Sequence, residues 1–75
     1  MHKKLVVYAD KPDREIWVGD EEGNFVQKET GKLDTGLLPG KYTVEFGLGT
    51  ARYLLDLQED MELNYDSIQK YRKPS

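Results

Sequence analysis

The chain has 75 residues, 14 acidic against 11 basic side chains, one histidine and no cysteine. That balance excludes disulfides, thiol catalysis and cysteine-based metal sites, and His2 alone cannot build a multi-histidine centre. Leu, Ile, Val and Phe supply 18 of the 75 residues, enough for one thin core in a domain that buries only ~60–65% of its unfolded surface.

From the N-terminus, the first apolar run, Leu5 to Ala9, is shorter than the ~7–15 residues of a signal-peptide core and far below the ~18 of a membrane span. No membrane insertion is expected, and a net charge of −3 sets up no field for nucleic acid. Turn-forming residues then recur at short, even intervals: Asp10 to Asp13, Gly19 to Asn24, Thr30-Gly31, Pro39-Gly40, Gly47 to Gly49 and Gln58 to Asp60. Between them lie runs rich in β-branched and aromatic residues: Lys3 to Ala9, Arg14 to Val18, Asn24 to Glu29, Lys41 to Phe46, Ala51 to Leu57 and Met61 to Tyr65. A weaker run spans Leu33 to Leu38. Short strands at this spacing predict an all-β fold, an antiparallel sandwich of six or seven strands.

Period-2 alternation assigns faces within those runs. Tyr42, Val44 and Phe46 face one way, as do Tyr53, Leu55 and Leu57, and Met61, Leu63 and Tyr65. Gln58 to Asp60 is then expected to close a hairpin between the last two strands. A helix over Tyr53 to Lys70 is the competing reading, since Leu54, Leu57, Met61, Tyr65 and Ile68 recur at helical spacing, and it would move the fold to α+β. The hairpin is preferred because Tyr53-Leu54-Leu55 would spread apolar side chains around a helix. The sandwich is expected to occupy residues 1–66, with 67–75, ending Lys70-Tyr71-Arg72-Lys73-Pro74-Ser75, as a tail or linker stub.

Leu37-Leu38-Pro39-Gly40-Lys41-Tyr42-Thr43-Val44 is the most informative stretch. Pro presets φ and Gly tolerates positive φ, so Pro39-Gly40 suits the centre of a type II turn that feeds a strand. Here the chain resembles small prealbumin-like sandwiches, among them PEGA domains and the B-type repeats of collagen adhesins. The likeness extends in order over Lys4 to Tyr8, Pro12, Ile16-Trp17-Val18-Gly19, Thr35-Gly36 and Leu38 to Tyr42, and departs from the family at the longer, charged segment Asp20 to Lys32. It implies a fold, and fold does not imply function. Adhesin repeats of this type carry an internal Lys–Asn bond promoted by a glutamate, for which Lys3 or Lys4 and Asn64 would be the partners. Phe46 stands where the resemblance places that glutamate, and Glu45 points to the other face, so no such bond is expected.

The remaining candidates are weighed by chemistry. Asp20-Glu21-Glu22-Gly23-Asn24 offers oxygen ligands, but its spacing is not that of a calcium loop and a solvated turn explains it. Trp17 has two orientations open to it. With Ile16 and Val18 inside, it faces out beside Glu15 as an interaction anchor; burial of tryptophan in general favours the opposite, with Trp17 in the core. Tyr8 is its expected neighbour if the first two strands pair. Tyr8, Tyr42, Tyr53 and Tyr65 would suit a carbohydrate platform, yet the last three alternate with apolar neighbours as core residues do. The basic run Lys70 to Lys73 reads as a solvated tail.

The chain lacks a phosphate loop, a nucleophile beside a base and buried paired carboxylates, so no enzyme and no cofactor is expected. The expected function is a non-catalytic protein–protein interaction or scaffolding module of a larger protein, its partner another chain or another domain of the same protein. Trp17 and Tyr8 are the binding candidates. A carbohydrate-binding module and a stand-alone small acidic inhibitor or regulator are the alternatives.

Overall fold

The computed structural model describes residues 1–47 and 49–72. It contains seven strands: β1 (Lys3–Tyr8), β2 (Glu15–Asp20), β3 (Phe25–Thr30), β4 (Lys32–Leu37), β5 (Gly40–Glu45), β6 (Arg52–Leu57) and β7 (Met61–Leu63). They form a three-stranded sheet, β4-β1-β7, and a four-stranded sheet, β3-β2-β5-β6. The all-β sandwich expected from the breaker spacing is therefore the observed fold. The helix over Tyr53 to Lys70 does not form; its only helical part is a 3-10 turn at Ser67–Tyr71.

Burial follows the alternation. Leu5 and Val7 of β1, Ile16 and Val18 of β2, Val44 of β5, and Tyr53, Leu55 and Leu57 of β6 meet in one core with Leu33, Phe46, Leu63 and Ile68. Phe46 sits between Tyr53 and Tyr65, with ring centroids 5.7 and 5.2 Å away, while Tyr42 and Tyr65 are half-buried at the core's margin. Among the described residues no buried side-chain nitrogen or oxygen lacks a hydrogen-bond partner, as a packed interior requires.

Three expectations are corrected. The sheets are not wholly antiparallel: β7 runs parallel to β1, with Leu5, Val6 and Val7 opposite Met61, Glu62 and Leu63. Gln58 to Asp60 is accordingly a crossing between sheets rather than a hairpin loop. Asp60 guides it, its Oδ1 accepting the backbone N–H of Lys4 at 2.8 Å near the start of β1. The second correction concerns Pro39-Gly40. Gly40 does not adopt positive φ and begins β5 directly, opposite Leu57. The corner is held instead by Tyr42, whose hydroxyl donates to the Leu38 carbonyl at 2.6 Å, the arrangement called a tyrosine corner in β-sandwiches. Third, the packed unit does not end at residue 66. Ile68 is fully buried and Arg72 bridges Tyr53 on the β6 edge, while residues 73–75 of the expected tail lie outside those described.

Candidate functional site

Strand β2 turns Ile16 and Val18 inward with essentially no exposure, which sends Glu15, Trp17 and Gly19 to the outer face of the four-stranded sheet. The core orientation of Trp17 is thereby overturned. The strand presents two β-branched side chains on one face and one tryptophan on the other, and it is the pair, Ile16 and Val18, that the core takes in. Trp17 is half-buried on the surface and is the centre of the site.

Its neighbours arrive through a break in periodicity. Phe25 and Lys28 are three residues apart, a spacing that would put them on opposite faces of a regular strand. The register shifts between Val18 and Gly19, so that Gly19 lies opposite Phe25 and Val18 opposite Gln27, leaving Val26 as the extra residue of a bulge. Both Phe25 and Lys28 then stand on the side of Trp17. The Phe25 ring meets the indole edge-on at 5.7 Å, and the Lys28 ammonium lies 5.0 Å from the indole ring centre. Phe25 remains 64% exposed.

Glu15 ties this group together. Its Oε1 accepts the indole N–H at 3.1 Å and its Oε2 lies 3.2 Å from Lys28 Nζ. The indole hydrogen bond, and after it the lysine, hold the Glu15 carboxyl below the usual glutamate range. Across the sheet, the row through Trp17 runs Lys28, Trp17, Glu45, Arg52, closed at its far end by the Arg52–Glu45 pair at 3.7 Å. The next row runs Phe25, Gly19, Thr43, Leu54. Gly19 leaves a depression of about 130 Å³ between Trp17, Phe25 and Arg52. A Cβ at that position would sit 3.0 Å from both the Asn24 carbonyl and Thr43 Oγ1, so glycine keeps the depression open.

Tyr8 lies elsewhere. β1 and β2 belong to different sheets, so the expected pairing that would bring Tyr8 to Trp17 does not occur. Tyr8 stands on the outer face of the three-stranded sheet beside Val6 and Lys4, in a shallow cleft of about 380 Å³. Its hydroxyl donates to Glu62 at 3.0 Å, and Lys32 lies over its ring at 5.3 Å. Lys4 is 3.8 Å from Asp34.

The acidic segment forms a local turn. Asp20 Oδ1 accepts the backbone N–H groups of Glu22 and Asn24 at 2.9 and 2.8 Å, and Gly23 supplies positive φ. The Asn24 N–H is the main cause that lowers the Asp20 carboxyl below its ordinary value. Asn64, one partner of the adhesin-type bond considered above, accepts the Ser67 N–H at 2.7 Å and so pins the 3-10 turn. Lys4, one of the two lysines considered with it, directs its ammonium toward Asp34.

Sequence reasoning placed Trp17 among the candidates but missed Phe25 and Lys28. The signal that could have found them is Gly19, a glycine inside a strand, which marks a bulge or a close approach. Comparison with known families, curated proteins and solved structures finds no match for this chain.

Proposed function

We propose that the chain is a non-catalytic interaction module that binds another protein through the outer face of its four-stranded sheet, with Trp17 as the anchor. The observation that carries this reading is the Trp17–Phe25 pair, two large aromatic rings held edge-to-face on the surface next to a depression and ringed by Glu15, Lys28, Glu45 and Arg52. An aromatic centre with a charged rim is the composition of protein-binding hot spots. The likeness to PEGA-type sandwiches belongs to the same proposal. It is supported by the two-layer fold and by the corner that Leu38, Pro39 and Tyr42 build between the sheets.

The test is a screen of the immobilised protein against displayed random peptides and against a glycan array, repeated with Trp17→Ala. Peptide ligands should weaken by about 30-fold or more on loss of the anchor, while the variant stays folded. Ligands indifferent to Trp17 would contradict the reading, and hits confined to sugars would replace it with carbohydrate binding.

A further inference from the structure

The four strand edges of the sandwich are not equivalent. Arg72 bridges Tyr53 and covers part of the β6 edge, and β7 is only three residues long. β4 turns Lys32 and Asp34 outward, beside a lysine-rich and acidic cleft. β3 has six residues, pairs among the described residues only with β2, and carries exposed Phe25 and Val26. An unpaired strand of that length is a template for another chain.

The ladder shows which backbone groups are free. Gly31 N–H donates to the Arg14 carbonyl at 2.8 Å, which fixes Arg14 and Gly31 as a hydrogen-bonded pair. Hydrogen-bonded and non-bonded pairs alternate, so Ile16 with Glu29 is bonded while Trp17 with Lys28 and Glu15 with Thr30 are not. The N–H and C=O groups of Lys28 and Thr30 therefore point away from β2, toward the open edge.

Side-chain chemistry then selects the occupant. A second copy fits poorly. Antiparallel self-pairing about a two-fold axis must be centred on one residue if matching faces are to stay together. Centring on Lys28 or on Glu29 sets like charges directly opposite, which destabilises the pair, and centring on Gln27 runs into the bulge at Val26. The row across the outer face runs Arg52, Glu45, Trp17, Lys28 and ends on a cation that stays exposed on the open-edge side although Glu15 lies 3.2 Å from its ammonium. The position beyond Lys28 is thus complementary to a carboxylate, the one opposite Thr30 to another β-branched residue, and the one beside Phe25 to an apolar side chain.

We propose that β3 accepts an extended segment of a partner protein as a fifth strand of this sheet, with an acidic residue set opposite Lys28. The proposal rests on the interaction-module reading and narrows it, from a sheet face to an added strand with a defined charge.

The probe is a capped synthetic nonapeptide of alternating Thr and Val with a central Asp, compared with the same peptide carrying central Lys. On binding of the Asp peptide, amide exchange at Lys28 and Thr30 should slow at least tenfold, and the Asp form should bind roughly fivefold tighter than the Lys form. Lys28→Glu should reverse that preference. Since a second carboxylate beside Glu15 could itself disturb the hairpin, a third probe leaves the protein untouched: the Asp peptide N-methylated on the Asp amide and every second amide from it, the set that faces β3, should not bind. Binding without protection at Lys28 and Thr30, binding of the N-methylated form, or failure of the Asp peptide to bind overturns the added strand. Concentration-dependent protection of the same two amides without peptide overturns it in favour of self-pairing. Peptide affinity that depends on Trp17 while both amides stay unprotected defeats the added strand and leaves the sheet-face reading standing.

Discussion

Trp17 and Tyr8 are both outward residues on strands that bury the alternate positions, Ile16 and Val18 beside Trp17 and Leu5 and Val7 before Tyr8, yet the two faces they stand on differ in kind. On the three-stranded sheet, Tyr8 is tied by its hydroxyl to Glu62, overlain by Lys32, and surrounded by Lys4, Asp34 and Asp60. On that face the polar groups have charged neighbours and the one aromatic ring is capped by a lysine. On the four-stranded sheet, a bulge gathers Phe25 and Lys28 around Trp17, and glycine at position 19 withholds the side chain that would cover them. Aromatic area is concentrated there rather than dispersed. The comparison teaches that alternation decides which residues reach a surface, while a single irregularity decides whether they form a site.

Both faces depend on the layer between them, and the largest effect should come from emptying it. Ile68 is fully buried by a turn outside either sheet, so Ile68→Ala should cost about 2–5 kcal/mol. Against a total stability of about 4–11 kcal/mol for a chain of this length, that change removes much of the fold. Urea denaturation checks it, and an unchanged midpoint would return residues beyond 66 to the status of a tail. Gly31 comes next. It has φ +80° where β3 passes into β4, and a Cβ there would approach the Pro12 carbonyl oxygen to 2.6 Å. Gly31→Ala should cost at least about 1–3 kcal/mol from backbone strain alone, read from thermal unfolding.

Two smaller changes sharpen the contrast between the faces. Tyr8→Phe removes one exposed hydrogen bond and should stay within about 0.5 kcal/mol of wild type in urea. It should also leave intact any binding that Trp17→Ala destroys, and a ligand sensitive to both would show that the faces act together. Asp20→Ala is the pH-dependent case. The folded carboxyl is depressed by the Asn24 N–H, so its stabilisation is complete above the ordinary aspartate value of about 3.9 and is lost as pH falls through the lower folded value. The stability advantage of wild type over Asp20→Ala should hold constant from neutral pH down to about 4 and shrink below it. An advantage independent of pH would show that the charge on the carboxyl contributes nothing, and no advantage at all would show that the turn is held by Gly23 and the backbone alone.

The strands and the core were legible in the sequence because apolar alternation reports burial directly, as Tyr53, Leu55 and Leu57 illustrate. Sheet membership was not. Three residues between β6 and β7 suit a hairpin and a crossing alike, and the pairing of β7 with β1, anchored by the contact of Asp60 with the Lys4 N–H, decides between them. That contact joins positions far apart in the chain and leaves no local pattern. The same limit separated Tyr8 from Trp17, whose strands follow one another yet lie in different sheets. At the site, the general preference of tryptophan for burial pointed inward, and the packing of Ile16 and Val18 overruled it. Phe25 was hidden for the opposite reason, since a bulge breaks the parity on which face assignment rests.

The central claim is that Trp17 belongs to a surface and not to the core, and the urea midpoint of Trp17→Ala tests it most directly. The lost contacts are one edge-to-face ring pair, one exposed cation–π contact and the exposed indole hydrogen bond to Glu15, so unfolding free energy should fall by about 1–2 kcal/mol, with the native circular dichroism spectrum retained. A loss of about 3–5 kcal/mol, the cost of deleting a tryptophan from a packed interior, would contradict the account.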